Sequence, residues 1–147
     1  MTVELKDFEL TASLSDSEKA AVCDQLELLE LDPGEVLFQE GSESDGMWLL
    51  ETGSLGLGSN RAGDLGRLSA GSTLGAMALT LTGPRELSAT AREDARVWLL
   101  SREAFRRLAI DEPHAALRIL EAAVLEFGTA ARGGLDQLAN AVSPNED

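Results

Sequence analysis

Between Glu35 and Leu100 the apolar residues fall into short runs, among them Val36-Leu-Phe38, Met47-Trp-Leu-Leu50, Ser54–Leu57 and Val97-Trp-Leu-Leu100. Gly34, Gly41, Gly46, Gly53, Gly63, Gly71 and Gly83 punctuate them. Many short strands at turn spacing predict a β-barrel or sandwich rather than alternating βαβ units. The segment Gly58-Ser-Asn-Arg-Ala-Gly-Asp64 reads as the tip of a hairpin.

The flanks read as helices. Ser15-Asp-Ser-Glu18 has the spacing of a capping box, with Leu14 as a hydrophobic staple before it. The helix that follows places Ala21, Val22, Cys23, Leu26 and Leu29 on its apolar side, turns Glu18, Lys19, Asp24 and Glu27 mostly outward, and is expected to end before Asp32-Pro33-Gly34. After Leu100 the period is helical again. Ser101 caps a short helix through Ala104, Phe105 and Leu108, and Asp111-Glu-Pro113 opens a longer one carrying Leu117, Leu120, Val124 and Phe127. Gly133-Gly134 ends it. These segments predict one domain over residues 1–147: an N-terminal helix, a β-roll over 33–100, C-terminal helices over 101–131 and a polar tail at 143–147.

With 12 Lys+Arg against 26 Asp+Glu, the formal charge is −14. Such a surface repels phosphate backbones and anionic lipid headgroups, so neither a nucleic-acid nor a membrane partner is expected. Cys23 is the single cysteine, and no Cys/His cluster offers a metal site. The N-terminus lacks the basic stretch and apolar run of a signal peptide, and no apolar segment approaches the ~20 residues that span a bilayer. A reducing cytoplasm is the expected compartment.

Two stretches carry a resemblance. The first is Pro33-Gly-Glu-Val-Leu-Phe-Gln-Glu-Gly41 followed by Asp45-Gly-Met-Trp-Leu-Leu-Glu-Thr-Gly53, and the second is the unbroken run from Gly75 to Ala91. Together they resemble the cyclic-nucleotide-binding domain of cyclic AMP receptors and protein kinase A regulatory subunits, over about residues 8–127. The resemblance implies a mainly β fold with flanking helices, a double-stranded β-helix (jelly-roll) barrel. It also implies a phosphate-binding cassette. Gly75, Ala76, Met77 and Ala78 match the turn and short helix whose amides face the phosphate. Arg85 matches the arginine that pairs with the phosphate oxygens, and Glu86 and Leu87 follow it.

The cassette departs from the family at two positions. Ala76 stands where the family has a glutamate that accepts the ribose hydroxyl, and an unaccepted buried hydroxyl costs about 1–3 kcal/mol. Glu86 stands where the family has a small residue. Two like charges ~4 Å apart at an effective dielectric of about 20 repel by about 4 kcal/mol, unless Glu86 faces solvent or pairs with Arg85.

Other marked residues have plain readings. Arg85 is either an anion ligand or a structural arginine neutralised by an acid. His114 reads as a solvated surface histidine, Cys23 as a small buried hydrophobe, and Trp48 and Trp98 as core or rim packing. The stripe Leu117, Leu120, Val124 and Phe127 meets either its own barrel or a second copy. No catalytic constellation stands at interpretable spacing, so no enzyme is expected. The expectation is a noncatalytic regulatory or scaffolding module with a degenerate pocket, no required cofactor, and a protein partner or self-association. The alternative is a sensor that binds cyclic AMP or cyclic GMP through Gly75–Ala78 and Arg85.

Overall fold

A computed structural model describes residues 8, 11–122 and 124. Helix α1 (Asp16–Gln25) is capped by Ser15, whose side chain accepts from Glu18 N while the Glu18 carboxylate accepts from Ser15 N. Eight strands follow: β1 (Glu27–Leu31), β2 (Val36–Phe38), β3 (Gly46–Thr52), β4 (Ser54–Ser59), β5 (Gly63–Ser69), β6 (Thr73–Leu74), β7 (Ser88–Ala91) and β8 (Ala95–Ser101). Helix α2 (Arg102–Asp111) starts on Ser101, whose hydroxyl accepts from Ala104 N. Helix α3 covers 113–122.

The strands form two antiparallel sheets, ordered β1-β8-β3-β6 and β2-β7-β4-β5. The glycine-spaced runs predict a barrel or sandwich, and the arrangement is the jelly-roll type that the resemblance implies. Alternation along β3 divides the core in two. Met47 and Leu49 join Phe105, Leu108 and Ile119 between the first sheet and the helices. Trp48 and Leu50 join Leu55, Ala89 and Val97 inside the roll.

Two expectations need correction. The first helix stops at Gln25, and 27–31 is a strand paired with β8, from Glu27–Leu99 to Leu31–Ala95. The ladder to a central strand outweighs the helical spacing of Leu26 and Leu29, so the roll begins six residues before position 33. Glu18, expected to face outward, is buried because it serves both the capping box and His114.

The stripe on the C-terminal helix also divides. Ala115, Ala116 and Ile119 are buried and Leu120 packs beside them. Leu117 and Val124, seven residues apart and therefore on one side of a helix, are exposed. Phe127, the end of the predicted helices and the tail at 143–147 lie outside the described residues.

Candidate functional site

Strand β6 pairs with β3 through Trp48–Leu74 and Leu49–Thr73, and delivers the chain to Gly75. Gly75 has φ 79° and ψ 30°, a left-handed conformation that glycine adopts without a Cβ penalty. A four-residue 3-10 helix, Ala76–Leu79, follows. The chain then returns through 80–87 to β7, which completes the strand, short helix and strand expected of the cassette.

The return segment is fastened to the loop before β3. Gly83 O accepts from both the backbone N and the hydroxyl of Ser44, each at 2.9 Å. Arg85 N donates to Ser42 O at 2.7 Å, and Arg85 O accepts from Gly41 N at 2.8 Å. Arg102, at the start of α2, donates through Nη2 to Ser44 O and Leu81 O, each at 2.9 Å. One side chain therefore joins the loop, the cassette and the helix.

Arg85 is 8% exposed. Its Nη2 donates to Gly46 O at 2.9 Å and to Asp45 Oδ1 at 3.4 Å, and its guanidinium carbon lies 4.4 Å from the centroid of the Phe38 ring. Burial pulls the guanidinium below its ordinary pKa, Asp45 opposes the fall and Arg102 adds to it. An arginine remains charged throughout, so the site holds a buried cation. The Asp45 side chain is 68% exposed, which leaves the ion pair well screened. The Gly46 carbonyl and the Phe38 face therefore do most of the holding. Among the described residues no acceptor engages Nη1 or Nε.

A cavity of about 490 Å³ opens beside this arginine. Gly75, Met77, Ala78, Arg85, Glu86 and Leu87 line it, as do Phe38 and Leu74. Ala76 does not; its methyl is buried in the apolar cluster between the first sheet and the helices. Glu86 is exposed on the cavity wall and makes no hydrogen bond or ion pair among the described residues. The acid that pairs with Arg85 is Asp45 rather than Glu86. A second opening, of about 500 Å³, shares Phe38 and Arg85 and reaches Asp45 and Trp48.

The sequence reading missed Asp45, Gly46, Phe38 and Arg102 as the setting of Arg85. Three of these lie within the glycine-spaced pattern and register there as turn and core residues. His114 is exposed, and its Nδ1 also bonds Glu18 Oε2 and joins α3 to α1. Cys23 is half-buried against the core. Among the described residues, no group of three or more potential ligands could hold a metal ion, and no helix is long and apolar enough to cross a membrane.

The two-sheet roll thus carries a cavity whose lining includes a left-handed glycine, part of a short helix and a buried arginine. The chain belongs to the cyclic nucleotide-binding domain family, whose model matches residues 28–112. It is 29% identical over 104 residues to the cAMP-dependent protein kinase regulatory subunit of Candida albicans, covering 71% of this chain and 23% of that protein. It is 31% identical over 105 residues to the subunit of the same name from Aspergillus niger, covering 71% and 26%. The chain thus spans about a quarter of the length of these relatives. Among solved structures it resembles the Thermus thermophilus catabolite activator protein, with a TM-score of 0.76 at 25% identity over 88% of this chain and 62% of that one.

Proposed function

We propose that this chain is a noncatalytic regulatory module whose cassette has kept its arginine and lost its sugar acceptor, so that cyclic nucleotide binding is weak or lost. Its output runs through protein contacts or self-association in the cytoplasm. The observation that carries this reading is Ala76. A methyl stands where the family's carboxylate would accept a ribose hydroxyl, and it is buried among apolar side chains. Arg85 meanwhile has internal partners in Gly46, Asp45 and Phe38, which hold its guanidinium within the protein itself. The exposed pair Leu117 and Val124 supplies an apolar patch for a second copy or a partner. Titration calorimetry with cyclic AMP and cyclic GMP is the test: no heat at micromolar nucleotide is expected, and a Kd of about 1 μM or tighter overturns the reading.

A second reading rests on Glu86. Its uncommitted carboxylate on the cavity wall supports a sensor in which Glu86 replaces the missing acceptor while Nη1 and Nε of Arg85 take the phosphate. In that case cyclic AMP raises the melting temperature, and Glu86→Gln and Arg85→Ala each abolish the rise. A rise that survives both substitutions removes this assignment. Similarity to cAMP-dependent protein kinase regulatory subunits supports a place in a kinase regulatory system, which co-purification from the native cell tests.

A further inference from the structure

An opening of about 680 Å³ outside the cassette lies on the second sheet. Across β4 and β7 the register pairs Leu55 with Ala91 and Leu57 with Ala89, and these side chains face the core. The alternate pairs, Gly56 with Thr90 and Gly58 with Ser88, therefore face outward and floor the trough. This is the side of the sheet away from the roll interior.

Gly56 lacks the positive φ that requires glycine. What occupies its side-chain space is Arg92: a Cβ on Gly56 would stand 2.2 Å from Arg92 Nε and 2.9 Å from Nη2. The guanidinium lies over bare backbone, exposed, and makes no hydrogen bond or ion pair among the described residues. Arg67, the register partner of Gly56 on β5, is likewise exposed and unpaired among them. In a chain with 26 acids and 12 bases, two cations without acids at one point of a sheet run against the supply of charge.

The other end of the trough carries the opposite sign. Glu40 Oε1 accepts from Asn60 N at 2.7 Å, and Asp64 Oδ1 accepts from Gly66 N at 2.8 Å. Each carboxylate keeps its second oxygen uncommitted among the described residues. From Gly56 to Ser59 the strand advances about 10 Å at its ~3.3 Å rise, the span of about three extended residues. Thr90, opposite Gly56, lines the trough at the Arg92 end.

We propose that this outer trough binds an extended zwitterionic ligand of about tripeptide length, with its carboxylate on Arg92 and its ammonium between Glu40 and Asp64. The site is independent of the cassette, so it stands or falls apart from the cyclic nucleotide question.

Triglycine is the probe, titrated into the ¹⁵N-labelled full chain alongside N-acetyl-triglycine and triglycine amide. Saturable shifts at Gly56, Gly58, Ser88 and Thr90 are expected with triglycine. Arg92→Gln and triglycine amide should each weaken binding about tenfold or more, because either change removes the charge-assisted contact. Glu40→Gln and N-acetylation should weaken it from the other end. Gly56→Ala, which displaces the guanidinium while keeping its charge, should also weaken it, and excess cyclic AMP should not compete. Absent saturation, equal binding of the amide, or an unchanged affinity in Arg92→Gln overturns the proposal.

Discussion

Gly75 and Arg85 are in contact across the cassette, so close that a Cβ on Gly75 would stand 2.5 Å from Arg85 Nη1. The left-handed glycine therefore serves two ends. It turns the chain from β6 into the short helix, and it leaves the space in which the guanidinium reaches Gly46 O.

Gly75→Ala meets both constraints at once. Backbone strain of about 1–3 kcal/mol adds to displacement of the guanidinium, so the expected result is a melting temperature lower by several degrees. Thermal denaturation followed by circular dichroism measures it, and an unchanged midpoint would contradict the contact.

Arg85→Ala and Asp45→Ala separate the partners of the buried cation. Removing Arg85 leaves Gly46 O without this donor and strips the cover from Phe38, so a loss of about 1–3 kcal/mol is expected in urea denaturation. Asp45 is largely exposed, and its removal should cost less than about 1 kcal/mol. Equal losses would mean that the ion pair, rather than the carbonyl and the ring, holds the arginine.

Glu18 carries an acid-sensitive contribution. The backbone bond from Ser15 and then the bond to His114 hold its carboxyl below the ordinary glutamate value of about 4.5. A group depressed in the folded state stabilises above its unfolded pKa and loses that contribution as pH falls through the folded one. Glu18→Gln can keep the capping box but carries no charge, so its melting temperature should fall less steeply below about pH 4.5 than that of the wild type. Parallel melts from neutral pH downward test this.

Leu117→Glu combined with Val124→Glu places charge on the exposed side of the C-terminal helix. Stability should change by no more than about 0.5 kcal/mol, because neither side chain is buried. Any self-association through this patch should be lost, as a shift toward monomer in sedimentation velocity. A dimer that persists in the double variant would locate the interface elsewhere.

Local signals were legible where a few neighbouring residues suffice. The capping box at Ser15–Glu18, the Ser101 cap and the hairpin at 58–64 depend on contacts three to six residues apart, and each forms as expected. Strand β1 did not read as a strand, because Leu26-Glu-Leu-Leu-Glu-Leu31 fits the end of a helix as well and only β8, about 70 residues later, decides between them. The outward glutamate at position 18 failed for a similar reason: its second partner, His114, is 96 residues away.

The sequence alone determined the roll, since glycine spacing and the alternation of apolar residues restrict where strands turn and which faces they bury. It also determined which chemical groups the segment from Gly75 to Leu87 can offer: an arginine at 85, an acid at 86 and a methyl at 76. Tertiary structure decided how those groups are used. Arg85 meets Asp45 and Gly46 only because β3 and the cassette return pack together across about 40 residues of chain. Arg92 comes to lie over Gly56 only through the register of β4 and β7. Distances between side chains far apart in sequence depend on sheet order and register, and a linear pattern does not carry them.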